Sequence, residues 1–470
     1  MIPGPLLLIV LPLIAAPVVY LVRRWALIAS ALAAGTSLAL GLACLRLPLD
    51  APATFLGRPV QLGQPVIVLG RELVLQPAGA LALGFVFMLG AVLFFLAWGI
   101  PQGRLFCPVG LVLLGVISAN VMIRHLLFAV LALWLAALVA AFLIQGDRHD
   151  SVRGALRYIT MHTLAVPSFL VVSWLFDLYI ENPDNLAPLR TFAILLTLGF
   201  SILLAVVPFQ GWVTAVAKDA PSLGTALLFS AESVAVLLLL TSLLRRYPWL
   251  LDDPLLFQVL TWGGLLTVGL GGLMALVQQD FGHLLGYGVL ADVGGMLLAL
   301  ATGSDLGVSV ALALVGFRAV SLIVTGVGLS AIRRRMGSDD FADLGGVARR
   351  QPVATAALIL GGLSLAGFPP LAGFAGRWAL LDLFAPEHTR WCWLIFLAGC
   401  GVAVGYLRGL RATLTPATAE HEDKQAQSGP VIAAVMIGAT LVLTTALSFN
   451  PQPVFSLARR IVAALGLPLP

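Results

Sequence analysis

The stretch Gly199–Arg246 reads GFSILLAVVPFQGWVTAVAKDAPSLGTALLFSAESVAVLLLLTSLLRR, and its interruptions decide the fold. It starts as an apolar helix of membrane type and breaks at Val207-Pro208-Phe209. A short amphipathic link with Trp212, Lys218 and Asp219 follows. Ala220-Pro221 then opens a second apolar helix that closes on Arg245 and Arg246. Proline inside a helix removes one hydrogen bond and clashes with the preceding turn. In hydrocarbon no water repairs that loss, so irregular backbone at membrane depth is expected to pack against protein or line a cavity. Broken helices of this kind point to ion or substrate pathways in transporters. A proline kink without a transport role is the plainer reading of the same residues.

Outward from this stretch the chain stays apolar. Its 470 residues are 60% hydrophobic and 10% charged, with a mean hydropathy of +1.02. A bilayer span needs about 20 mostly apolar residues, and such segments fall at 5–22, 25–45, 79–99, 104–122, 126–145, 155–180, 191–208, 221–244, 255–277, 284–302, 306–331, 353–385, 391–412 and 430–448. The fold class is therefore an all-α polytopic membrane protein with about fourteen transmembrane helices. The twelfth span is broken at Phe368-Pro369-Pro370. No basic region precedes the first apolar run, which reads as a span and not a cleaved signal.

The net charge of +5 follows from loop arginines and implies no nucleic-acid partner. With the N-terminus outside, fifteen basic residues fall in inner loops, Arg333, Arg334, Arg335, Arg349 and Arg350 among them, against ten in outer loops. That bias orients both termini outward in the cell's inner (plasma) membrane. Cys44, Cys107, Cys392 and Cys400 lie in or beside apolar segments without metal-ligand spacing, so neither a metal site nor a redox pair is expected. No glycine-rich nucleotide loop and no iron–sulfur or haem pattern is present, so no cofactor is expected. Residues 48–77 alternate around Gly and Pro and predict an outer hairpin, 413–429 a polar inner loop, and Val454–Leu465 an amphipathic surface helix. The chain divides into 1–103, a first unit 104–244, a second unit 255–412 and a tail 413–470. Each unit has five spans and one broken helix, at Pro208 and at Pro369-Pro370; five is odd, so the two copies are inverted.

The motifs resemble those of the antiporter-like membrane subunits of the NADH:quinone oxidoreductase, membrane hydrogenase and Mrp antiporter family. Gly199-Phe200, Pro208-Phe209, Trp212, Ala220-Pro221 and Ala226-Leu227-Leu228 fall in the family's register. Gln279-Asp280 with Leu284-Leu285-Gly286-Tyr287, and Leu363–Phe374 (LSLAGFPPLAGF), match two further blocks, and Ala155-Leu156-Arg157-Tyr158 resembles the subunit N pattern. The resemblance implies two inverted five-helix units, each with half a proton channel, and other membrane subunits as partners. Electron transfer would belong to other subunits of the complex.

Against the family pattern the proton-carrying residues are depleted. The family's Glu on the fifth span becomes Leu135, the Lys of the broken seventh becomes Leu203, and the His and Lys of the next become Phe229 and Ala235. Lys218 and Lys424 are the chain's two lysines, and neither lies in a span. Charges inside spans cost a few kcal/mol and are rarely kept without a role. Among those remaining are Glu232, Asp292, Arg318, Arg377 and Asp382, with Arg157 and His162 on the sixth span. His162 reads first as a hydrogen-bonded structural residue, and Glu232 equally as functional or structural. Arg377 aligns with the family's Lys or Glu of the twelfth span and calls for a carboxylate, Asp292 or Asp382. Asp292 is the expected titrating group, and the path is expected to run through the second unit, the first having lost its carriers.

The chain thus reads as an antiporter-like subunit of a complex I-like proton-translocating oxidoreductase, as a scaffold or a half-active channel. The alternatives are the membrane subunit of an inorganic-carbon uptake complex and a standalone cation/proton antiporter. With both termini outside, a cysteine replacing Asp340 is expected to react with membrane-impermeant thiol reagents only after the cytoplasmic side is opened.

Overall fold

The computed structural model describes all residues except 1, 50, 52, 56–57, 69, 147–151, 182–186, 417–430 and 467–470. Helices α1 (Gly4–Leu21), α2 (Ala26–Arg46) and α3 (Pro77–Gly99) precede a first set of five spans: α4 (Phe106–Met122), α5 (Leu126–Gln145), α6 (Arg153–Glu181), α7 (Ala187–Leu203) with α8 (Gly211–Asp219), and α9 (Ser222–Arg246). The short α10 (Trp249–Asp252) leads to α11 (Pro254–Val277), α12 (Phe281–Ala301) and α13 (Asp305–Met336). After α14 (Val347–Arg350) come α15 (Pro352–Ala366) with α16 (Ala372–Phe384), α17 (Thr389–Leu414), α18 (Val431–Phe449) and α19 (Gln452–Leu465). Eleven described helices are long and apolar enough to cross a membrane, and α4, α7 and α15 are shorter apolar helices. Each expected span therefore has a helix; the seventh continues past its break as α8 and the twelfth as α16. The chain is a multi-pass membrane protein.

Helices α9, α12 and α13 form the centre, with 89, 89 and 94% of their apolar windows buried, against 33% for α1 and 22% for α18. Polar groups on the central three are shielded from lipid. Close approach there rests on small residues, which let membrane helices pack backbone to backbone. On the α11–α12 seam a methyl added at Gly271 would stand 2.5 Å from the Ala291 amide nitrogen, and one at Gly294 2.5 Å from that of Val268.

Both breaks re-satisfy their backbone locally. After α7, Ala205 takes a left-handed φ of 53° and the Val207–Pro208 peptide is cis. The amide of Val206 reaches back to the Ser201 carbonyl at 2.9 Å, and that of Val207 donates to Thr267 Oγ1 at 3.4 Å. At the second break Gly367 (φ +80°) caps α15, Phe368 N donates to Leu363 O at 3.0 Å, and the following Pro369–Pro370 bond is cis. Ser364 Oγ accepts from Gly373 N at 3.0 Å at the start of α16 and meets Ser321 Oγ of α13 at 2.8 Å. Leu204–Val206 are buried as expected, but Phe368, Pro369, Pro370 and Pro208 are exposed in the isolated chain. Prolines carry no N–H, so little donor capacity is left unpaired there.

The outer segment holds the expected hairpin, β4 (Val66–Val68) antiparallel to β5 (Arg71–Leu73). It also holds β2 (Ala53–Phe55) antiparallel to β3 (Arg58–Gln61), and the chain start, β1 (Ile2–Pro3), adds to β3 in parallel. The polar loop expected at 413–429 lies outside the described residues beyond 416. The tail helix α19 packs on α13 and α3, with Phe455 edge-on to Phe317 at 5.3 Å. It buries Ala458, Ile461, Val462 and Leu465 against protein and leaves Arg459 and Arg460 exposed. Gly271→Val is expected to cost about 1–3 kcal/mol by overpacking, read as a lower unfolding midpoint of the detergent-solubilised protein.

Candidate functional site

The central helices carry a row of buried ionisable groups. Residues 158 and 162 of α6 lie one turn apart on one face, and both reach Glu232 of α9. Tyr158 Oη donates to Glu232 Oε2 at 3.0 Å, and His162 Nε2 lies 2.5 Å from Oε1. His162 Nδ1 sits 2.9 Å from the Tyr158 carbonyl oxygen. A carbonyl only accepts, so Nδ1 carries a proton, and the short Nε2–Oε1 contact holds one proton more. Trp212 of α8 closes over the pair, with ring centroids 5.3 Å from Tyr158 and 5.5 Å from His162.

The adjacent residue, Ser233, turns toward α13. Arg318 Nη2 donates to Ser233 Oγ at 2.6 Å, and Arg318 Nη1 lies 3.4 Å from Asp292 Oδ2 of α12. The Arg318 side chain is 0% exposed. Between Glu232 and Arg318 is a cavity of about 20 Å³, walled by Leu203, Ala205, Trp212 and Val293, room for about one water. The field of Asp292 also reaches Arg377 of α16. Arg377 is buried, and its three guanidinium nitrogens have no hydrogen-bond partner among the described residues. Arg377 was expected to pair with Asp292 or Asp382. The contact made by Asp292 is with Arg318 instead, and Asp382 lies exposed on α16, outside the row. The broken-helix prolines bend the chain but stay outside the row.

The structure thus brings together Glu232, Arg318 and Asp292, sets Arg377 beyond them, and leaves out Asp382. His162, read from sequence as a structural residue, is a direct partner of Glu232. Its i, i+4 spacing from Tyr158 on an apolar helix was the available signal. Ser233 was missed, because a lone serine in a span carries no such signal. Leu135 faces outward, 48% exposed, and Leu203 lines the small cavity.

A second polar cluster ties the first set of spans to the second at one end. Lys218 Nζ contacts Asp280 at 3.0 Å, Asp339 at 2.7 Å and Asp340 at 3.0 Å. Arg333 Nη2 bonds Asp339 Oδ2 at 2.6 Å and the Lys218 carbonyl at 3.1 Å. The three carboxylates converge closely enough to hold a cation, and the Lys218 ammonium fills that place. Burial works against the charge on Lys218, but Asp339, Asp340 and Asp280 outweigh it and raise its pKa. Burial likewise opposes ionisation of Asp339, where Arg333 and Lys218 prevail and lower its pKa. At Asp280 burial is outweighed by hydrogen bonds from His283 and by Lys218, and its pKa is also lowered.

Broken helices flanking a buried charge row in a fourteen-span bundle define an antiporter-like proton-channel subunit. Residues 125–403 match the family model described as NADH:quinone oxidoreductase/Mrp antiporter, TM, and the chain belongs to that family. It is 32% identical over 337 residues to NADH-quinone oxidoreductase subunit N of Dehalococcoides mccartyi, covering 64% of this chain and 67% of that one. It is 29% identical over 356 residues to subunit N 2 of Acidobacterium capsulatum, covering 70% and 71%. A chain of respiratory complex I from Thermus thermophilus superposes with a TM-score of 0.71 at 22% identity, over 97% of this chain and 99% of that one. That likeness carries the fold.

The lowered pKa values fix the pH behaviour of the Lys218 cluster. Its carboxylates add stability above their unfolded pKa near 4, and lose it as pH falls through the lower folded values. Lys218→Gln is expected to lower stability by about 1–3 kcal/mol. The loss, read as an unfolding midpoint in detergent, should be present at pH 7 and shrink toward pH 2.

Proposed function

We propose that the chain is the antiporter-like membrane subunit of a multi-subunit, proton-translocating oxidoreductase, with its proton path along the row from His162 and Glu232 past Arg318 to Asp292 and Arg377. What carries this reading is the His162–Glu232 contact, which faces Arg318–Asp292 across a one-water cavity in the most buried part of the bundle. Arginine keeps its proton. Arg318 therefore holds Asp292 in place, Arg377 adds a fixed positive field beyond it, and the protons move on the His162–Glu232 pair and on Asp292. The fifth-span Glu and seventh-span Lys of the family pattern are Leu135 and Leu203 here, so the path is shorter than that pattern implies. It nevertheless touches both five-span units, 104–244 and 255–412, which we take as inverted copies.

The partners are other membrane subunits, and redox chemistry belongs to other subunits of the complex; the setting is the plasma membrane with both termini outside. The two subunit N relatives support this assignment over a standalone exchanger.

The test is proton uptake by the whole complex reconstituted in proteoliposomes. Asp292→Asn and Glu232→Gln are each expected to lower the protons moved per electron by about half or more while the complex still assembles. Arg377→Ala is expected to impair assembly as well, because it strips Asp292 of a neighbouring positive charge. Normal pumping by both carboxylate variants would make the subunit a scaffold.

A further inference from the structure

A second cavity lies apart from the charge row. It has a volume of about 310 Å³, within the range of small-molecule sites, and opens at the end of the bundle that carries the β4–β5 hairpin. Arg124, Arg245 and Arg246 stand at its mouth. Arg124 is held by Glu72 at 3.0 Å, and Arg246 Nη1 donates to the Arg124 carbonyl at 2.9 Å. Arg245 is exposed on the last turn of α9. Arg71 adds a fourth positive charge at this end, against the negative charges of Glu72 and Asp177. The excess is positive.

The lining also holds Gln76, Asn120 and Ser242, and below these the walls turn apolar. Leu239, Leu238 and Ala235 of α9 descend to the floor, and Leu465 of α19 closes one side. From Arg246 to Ala235 the helix falls by about 16 Å at 1.5 Å per residue. A small anion would use the arginines and leave the apolar shaft unfilled, and a neutral hydrocarbon would ignore the guanidiniums. Guanidinium binds carboxylate and phosphate in a bidentate fork.

We infer that this cavity binds an acidic amphiphile, with its carboxylate or phosphate head on Arg124, Arg245 and Arg246 and one hydrocarbon chain running down α9 to Ala235. A free fatty acid and an anionic phospholipid share that chemistry. The inference is independent of the proton path.

Native mass spectrometry of the full chain in detergent tests it, with oleate, phosphatidylglycerol, phosphatidylcholine and inorganic phosphate as separate probes. Oleate, phosphatidylglycerol or both are expected to bind at least tenfold more tightly than phosphatidylcholine and phosphate, and whichever binds identifies the source. Arg245→Gln/Arg246→Gln should reduce that binding at least fivefold, and Arg245→Lys/Arg246→Lys should restore most of it. Ala235→Phe, which shortens the shaft without touching charge, should shift the preference toward shorter fatty acids and so keeps the test open if the arginine variants misfold. Equal binding of acidic and zwitterionic lipids, phosphate binding as tightly as the amphiphiles, or no change in chain-length preference would overturn the inference.

Discussion

The contact between Arg318 and Asp292, 3.4 Å apart with the guanidinium fully buried, is the constraint the rest of the structure serves. At an effective dielectric near 20, two unit charges at that distance attract by about 5 kcal/mol. Desolvating each ion costs several kcal/mol even after relaxation, so the pair does not sustain itself. The balance is made up by neighbours. Ser233 accepts from the Arg318 guanidinium at 2.6 Å, the carboxylate of the adjacent Glu232 also acts on it, and Arg377 acts on Asp292 from the far side. Negative and positive groups alternate along the row, and removing any member leaves an uncompensated charge in the driest part of the bundle.

Such a row needs helices that approach closely and still present polar groups inward. The glycines of the α11–α12 seam permit the first. The two breaks permit the second, because a straight helix would have carried Trp212 and Arg377 past the level of Glu232 and Asp292. Each break repairs its backbone with nearby hydroxyls: Thr267 at the first, Ser364 at the second. Thr267 of α11 and Ser364 of α15 are therefore structural in the same sense as the prolines. The Lys218 cluster then pins α8, α12 and the end of α13 together, so the first break keeps its position relative to the second set of spans.

Much of the fold was legible because its signals are long. Twenty-residue apolar runs and prolines within them survive errors of several residues, and all fourteen spans have their helices. The site was legible only in its charged members. Glu232, Asp292, Arg318 and Arg377 stand out because charge in a span is rare, yet which of them touch depends on helix rotation, and sequence does not specify that. Asp292 and Arg318 sit on different helices, and nothing local says that Arg318 outcompetes Arg377 for the carboxylate. Asp382 shares a helix with Arg377 but points away from the row. His162 looked structural because one histidine on an apolar helix usually is; only the meeting of α6 with α9 gives it Glu232 as partner. The pairing of the first residues with β3 was equally illegible, since two residues carry no strand signal.

The absence of lysine from the row gives it its particular character. A buried lysine can lose its proton and so change the charge pattern as protons pass. Arg318 and Arg377 cannot, so the row keeps two fixed positive charges whatever its protonation state. Any proton that moves must then be accommodated by the carboxylates and by His162. The His162–Glu232 contact suits that limit, because a proton passing from Oε1 to Nε2 across 2.5 Å changes the field at Arg318 while the pair keeps its net charge. In the proposed path, rearrangement within that pair would be felt by Asp292 through a guanidinium that stays put. Coupling between the two sets of spans can thus run through Arg318 as an electrostatic bridge, with no proton crossing the guanidinium itself.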